Sequence, residues 1–133
     1  MQLSVAVRNA VLDTIETTIG TSAILEIRSG TAPASCASAN TGTVLATITC
    51  PSDWQDDAAT GSKVKLGTWE DTSADATGTA AHFRMFASDG TTCHVQGTVT
   101  ATGGGGDMTL DNVSITAGQT ITITSYTFTA GNA

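Results

Sequence analysis

Two histidines, three cysteines and twelve carboxylates are the groups in this 133-residue sequence that could do acid–base, nucleophilic or metal chemistry, beside many serine and threonine hydroxyls. Hydrolysis by an activated serine needs a base and an orienting acid converging on one hydroxyl. His82 and His94 are the only imidazoles, and neither lies in a recognisable nucleophile motif. The two fall on facing strands of a hairpin pattern, on one face but out of register, and a shared metal would need Cys93 or an acid as a further ligand. Alternation along a strand sends Cys93 to the face opposite His94. Both histidines therefore read as solvated surface residues, and no metal site is expected. Cys36, Cys50 and Cys93 are odd in number with no close-spaced pair, which argues against a disulfide framework. They read as free thiols, with a Cys36–Cys50 bridge as the open alternative.

The acidic groups are equally unspecific. Asp53, Asp56 and Asp57 lack the alternating ligands, central glycine and distal glutamate of a compact calcium loop, and Glu70, Asp71 and Asp75 form no better set. A solvated acidic rim is the reading, with ion binding or a charged contact as the alternative. The four glycines at 103–106 have no Lys-Ser/Thr after them, so they form a flexible loop or hinge rather than a phosphate cradle. No catalytic residue and no cofactor emerges, and the sequence predicts a non-enzymatic protein. Trp54 and Trp69 remain as candidate partner-binding anchors at the edge of the core. Stacking of these indoles on sugar rings, as in a carbohydrate-binding module, is the competing use.

Charge narrows the partners. Five basic residues, Arg8, Arg28, Lys63, Lys65 and Arg84, against twelve acids give a net charge of -7. No basic stripe exists to neutralise phosphates, so nucleic acid is excluded as a partner. No charged leader precedes an apolar run, and no stretch is long and apolar enough to span a bilayer, so neither a signal peptide nor a membrane partner is expected.

The elements that must position these residues follow from periodicity. Val7, Ala10, Val11, Thr14, Ile15, Thr18 and Ile19 recur at helical spacing, with Arg8, Asp13 and Glu16 off the stripe. This predicts one amphipathic helix over about residues 5–19, apolar side on a sheet, stopped by Gly20. From residue 22 the period is two. Strands are expected over 22–28, 42–50 and 63–69, then a hairpin over 79–101, short strands at 108–110 and 113–115, and a long last strand over 120–129 bulged near Thr124 and Ser125. In the hairpin, burial of one face demands a register that places Phe83, Met85, Val95 and Val99 together, opposite His82, Arg84, His94 and Gln96. A three-residue turn with Gly90 in the left-handed bulge position supplies that register. Roughly one residue in five is threonine, a β-branched residue suited to pleated surfaces. The whole is expected to be a single domain over 1–133, mainly β, an antiparallel β-sandwich or jelly-roll-like fold over about 22–130 with one N-terminal helix.

Two segments, VRNAVLDTIETTIGTSAILEIRSGTAPASC and GTWEDTSADATGTAAHFRMF…HVQGTVTATGGGGDMTLDNVSITAGQTITITSYTFTAGNA, resemble a family of small proteins from the structural modules of tailed bacteriophages and prophages. The most specific pieces are TVTATGGGGDMTLDN at 98–112 and TAGNA at 129–133. The resemblance covers most of the chain and implies a virion structural protein, a capsid decoration or cement protein. It would be made in the host cytoplasm, placed on the capsid exterior, and bound to the major capsid protein and to itself as a dimer or trimer. A tail-associated or head–tail adaptor role is the alternative. Contacts would come from the helix or from the loops at 29–40, 51–62 and 70–78.

Overall fold

The computed structural model describes residues 1–132; Ala133, the end of the TAGNA tract, lies outside them. One helix, α1 (Val5–Ile19), precedes ten strands: β1 (Ile24–Ser29), β2 (Val44–Thr49), β3 (Ser62–Val64), β4 (Trp69–Asp71), β5 (Gly78–Phe86), β6 (Cys93–Ala101), β7 (Met108–Leu110), β8 (Ser114–Ile115), β9 (Ile121–Ile123) and β10 (Thr127–Thr129). The protein is mainly β, with a curled principal sheet in the order β2-β1-β5-β6-β7 and β8 beside β5. Two small sheets, β10-β3 and β4-β9, complete it. Pairing is antiparallel except between β6 and β7, which run parallel.

Alternation sets the inner face of the principal sheet. Leu25 and Ile27 of β1, with Phe83 and Met85 of β5, are buried in one apolar cluster with Leu45, Ile48, Val99 and Met108. The outer face is not left to water. From His82 to Phe86 every residue of β5 is buried, because the chain at 30–43 lies across the opposite side. A central strand covered on both faces loses the exposed half of its alternation.

The hairpin register is the one that burial demanded: Met85 pairs with Val95, Arg84 with Gln96 and Phe83 with Gly97. The device differs from the expected three-residue turn. Ala87 N–H donates to Thr92 O at 3.0 Å, leaving a four-residue loop at 88–91, and the register shifts where Phe86 pairs with Cys93. His94 is the extra residue of that bulge. Cys93 is thereby turned to the outer face, where it is bonded to Cys36 across a Cα–Cα distance of 5.2 Å. This corrects the reading of three free thiols and of a Cys36–Cys50 pair; Cys50 alone is free, and buried.

Two expected strands are divided. The third breaks into β3 and β4, and the last into β9 and β10, which pair with β4 and β3 respectively. The phase jump between Ile121/Ile123 and Tyr126/Phe128 therefore marks a change of sheet rather than a bulge. Tyr126 at the crossing is buried, 5.7 Å from Phe83 and 6.0 Å from Trp69 between ring centroids.

The glycine run is a pinned turn and not a hinge. Parallel strands ordinarily need a crossover of about a dozen residues, yet β6 and β7 are joined by residues 102–107 alone. Asp107 Oδ2 accepts from both the backbone N–H and the hydroxyl of Thr98 at 2.9 Å, and Gly106 N–H donates to Thr100 Oγ1 at 3.0 Å. A Cβ on Gly104 would stand 2.7 Å from the Thr100 side chain, and Gly103 and Gly105 have φ of 87° and 81°.

Helix α1 spans the expected residues, capped by Ser4, whose Oγ accepts from Val7 N–H, and closed by Gly20, whose N–H donates to Glu16 O. Its orientation is rotated from the expected one: of the stripe, only Ile15 and Ile19 meet the core. Leu12 and Ile19 are buried and Ile15 packs on the core, but Val7 and Val11 are 46% and 51% exposed. The polar residues face inward instead. The chain at 55–61 runs antiparallel beneath the helix, and its backbone N–H groups at Gln55, Ala58 and Gly61 donate to Glu16 Oε1, Asp13 Oδ1 and Asn9 Oδ1. A loop with unpaired amides needs acceptors, and this requirement overrides the apolar stripe.

Candidate functional site

Three places gather the polar side chains that sequence reasoning singled out. The first is the outer face of the principal sheet under residues 30–43. Arg84, 2% exposed, has no carboxylate partner; its guanidinium donates to Cys36 O at 2.8 Å and Ser38 O at 3.2 Å, and contacts Asn40 Oδ1. Burial, and then the charge of Arg28, press the Arg84 pKa down, with Glu26 opposing; a guanidinium still stays charged at any ordinary pH. Gln96 donates to Pro33 O at 2.7 Å, His82 Nδ1 lies 2.8 Å from Gly30 O, and Arg28 donates to Thr41 O at 3.1 Å. These side chains tie the overlying strap to the sheet, and the Cys36–Cys93 bridge closes it. His82 is therefore 1% exposed rather than solvated, whereas His94 is exposed. The expectation of two surface histidines holds only for His94, because the strap that covers His82 leaves no periodic signal.

The second place is the underside of α1. Lys63, 2% exposed, donates to Asp13 Oδ1 at 2.8 Å and to Asp56 O at 2.8 Å, and lies 3.1 Å from Glu16 Oε2. Burial works against the ammonium, but hydrogen bonds to Asp13 and Glu16 and their charges outweigh it, holding Lys63 above its ordinary pKa. The Lys63 bond, and then the Ala58 N–H, hold Asp13 below its own. Nothing in the pattern around Lys63 marks it as buried; a lysine beside Val64 in an alternating strand reads equally well facing water.

The third is the aromatic cluster. Trp54 and Trp69 are both 0% exposed, with ring centroids 5.8 Å apart. Their indole N–H groups donate to Gly20 O at 2.9 Å and Leu66 O at 3.1 Å. As folded, neither ring can anchor a partner or stack on a sugar. Both are core residues, and their polar tips are satisfied internally, which is how a buried tryptophan is accommodated.

The remaining candidates serve local structure. Asp89 accepts from Thr91 N–H, Thr92 N–H and the Thr92 hydroxyl at the hairpin tip, which holds its carboxyl far below the usual range. Asp71 and Asp75 accept from Thr47 on the edge of β2. Asp56 accepts from the following N–H. Burial pushes the Cys50 thiol up to about 12, so it is not a nucleophile at neutral pH. Among the described residues no group of three or more His, Cys, Asp and Glu is placed to hold a metal ion. Two shallow open grooves mark the surface, one between β7 and β9 and one beside Gly20 and Asp53.

Charge is laid out unevenly over the surface. Asp53, Asp56, Asp57, Glu70, Asp75 and Asp111 are exposed, while none of the five basic side chains is. Arg28, Lys63 and Arg84 are buried, and Arg8 and Lys65 are half-buried against Ala130 O and Gly67 O. The charged part of the exterior is thus acidic, while the exposed residues of 29–52 and 112–132 carry no charge. No protein family, curated protein or solved structure matches the chain.

Proposed function

We propose that this chain is a non-enzymatic structural protein of a tailed-bacteriophage virion, a capsid decoration or cement protein that docks on the major capsid protein and associates with itself. Its short sheets, sharing one core with the principal sheet, are read as a β-sandwich of jelly-roll type. The resemblance of the tract at 98–112 supports this reading, and that tract is a single structural unit, the pinned parallel connection between β6 and β7. The observation that carries the proposal is the surface itself: acids point outward and basic side chains are consumed internally. A particle coated with such a protein presents a polyanionic exterior that repels both its neighbours and free nucleic acid. The carbohydrate-binding alternative loses its basis, since both tryptophans that would stack on sugars lie in the core.

Cryo-electron microscopy of particles containing the protein tests the proposal. Many copies at symmetry-related sites on the outside of an icosahedral shell are expected. A ring or a few copies at a vertex or tail would make it an adaptor or tail protein, and absence from particles would remove the virion role altogether.

A further inference from the structure

We infer that the Cys36–Cys93 disulfide is a redox latch: oxidised, it holds the strap at 30–43 shut over the outer face of the principal sheet, and reduced, it lets the strap swing open while the sheet stays folded. The strap has no helix or strand between Gly30 and Thr43, and of its fourteen residues only Pro33 is buried. Its ends are tied to each other at the base. Ser29 N–H donates to Thr43 O at 3.0 Å, and the Thr41 hydroxyl donates to Thr31 O at 2.7 Å. A surface loop of this length with its ends together is an Ω-loop, a unit that can leave the sheet without unpairing β1 from β2.

Apart from the disulfide, the strap is held by contacts that water can replace. Arg28, Arg84 and Gln96 reach from the sheet to the carbonyls of Thr41, Ser38, Cys36 and Pro33, His82 Nδ1 meets Gly30 O, and Asn40 Oδ1 meets Arg84. Exchanging such bonds for bonds to water changes the free energy little. Three polar atoms on this face, His82 Nε2, Arg84 Nε and Gln96 Oε1, are buried with no hydrogen-bond partner at all. Closing the strap therefore desolvates a guanidinium and leaves three atoms unmet, and opening relieves both. On the apolar side stand Pro33 and Phe86, whose ring lies 5.6 Å from the Arg84 guanidinium, outside the main apolar cluster. Two apolar side chains are little to set against the ordering of fourteen residues, so the S–S bond decides. The core side chains Leu25, Ile27, Phe83 and Met85 lie on the other face and stay covered when the strap leaves.

The step is thiol–disulfide exchange with a dithiol. One thiolate of the dithiol attacks a sulfur of the bridge and forms a mixed disulfide; its second sulfur then displaces the protein, so the dithiol ends as a cyclic disulfide. Two electrons and two protons pass to the bridge, leaving a thiol on Cys36 and another on Cys93. Both residues are half-buried rather than enclosed, and Cys93 follows the exposed Thr91 and Thr92 of the hairpin tip, so a small dithiol reaches them. Cys50, buried and with its thiol pushed up to about 12, takes no part. Opening changes the character of the surface. It brings Arg28, His82, Arg84 and Phe86 into water on a chain whose exposed charged residues are all acids. This holds for the isolated chain, whatever particle it belongs to.

Limited proteolysis of the full chain with subtilisin, below the melting transition and with or without dithiothreitol, tests the latch. Reduction is expected to speed cleavage within 31–42 by roughly tenfold or more, because cleavage follows the population of the open form. Amide exchange in β1, β5 and β6 is expected to keep its protection under the same conditions. The Cys36→Ser, Cys93→Ser double variant is expected to be cleaved at the strap without reductant. Diethylpyrocarbonate is expected to acylate His82 in that variant but not in the oxidised parent, with the exposed His94 acylated in both. A cleavage rate indifferent to reduction, or a His82 that stays unreactive in the double variant, would overturn the inference. Loss of protection through the sheet together with the strap would overturn it as well, since the disulfide would then hold the whole fold rather than a lid.

Discussion

Truncating Trp54 removes an indole packed on Trp69 and strands the Gly20 carbonyl that it satisfies. Trp54→Ala is therefore expected to lower the unfolding free energy by about 3–5 kcal/mol, as large aromatic deletions in cores do, read from the urea midpoint. A surface anchor would leave that midpoint in place. The Lys63 pairs offer a sharper asymmetry. Lys63 is 2% exposed while the Asp13 side chain is 47% exposed, so removing either partner leaves very different remainders. Asp13→Ala leaves an ammonium short of a partner in the interior; Lys63→Met leaves carboxylates that can turn to water. The first is expected to cost more, because the ammonium is the member of the pair that water does not reach. Equal losses in denaturation would show that the ammonium reaches water after all.

The disulfide acts on an element rather than a point. It joins residues 57 apart in sequence, and closing a loop of that length in the unfolded chain is worth roughly 4 kcal/mol in the chain-entropy account. Reduction is expected to lower the melting temperature markedly. Cys36→Ser is expected to reproduce the shift and abolish sensitivity to reductant, whereas Cys50→Ser keeps that sensitivity. Much of this scale was legible in the sequence. The stop of α1 follows from Gly20, the faces of β1 from alternation, and the register of β5 on β6 from the need to bury Phe83 and Met85 together. Elsewhere the information was tertiary. Periodicity reports which side of a helix is apolar, not that unpaired amides at 55–61 wait beneath it. Alternation places Cys93 inward until a bulge at His94 reverses it, and no local pattern announces the bulge. Trp54 and Trp69 flank turn-rich segments, which disguises them as edge residues when their polar tips are in fact satisfied inside.

Acid titration reports on the whole molecule, because several carboxylates are held below their ordinary range. In Asp89 the cause is the Thr92 hydroxyl and then the Thr92 and Thr91 amides, in Asp107 the Thr98 amide and hydroxyl, and in Asp13 Lys63 and then Ala58. A carboxylate with a depressed folded-state pKa contributes stability that is complete above its unfolded value and lost as pH falls through the folded one. Melting temperature is therefore expected to hold down to about pH 4, near the unfolded aspartate value, and then to decline. Asp107→Asn should make that decline shallower. Lys63, held above its ordinary value, contributes the other way: its share is complete below about pH 10 and is lost as pH rises further. A flat acid limb in thermal scans from neutral to pH 2 would remove the carboxylate bonds from the account.

The two ends of the described chain also touch. Leu3 N–H donates to Asn132 Oδ1 at 2.9 Å, and Asn132 Nδ2 donates back to Leu3 O at 3.1 Å. Topologically the backbone is nearly a ring with a single cut. A short linker joining the ends, with a new opening in the exposed 88–91 loop, should yield a circular permutant with the same fold. Such a permutant would also move the attachment point of any fused peptide from beside α1 to the tip of the hairpin.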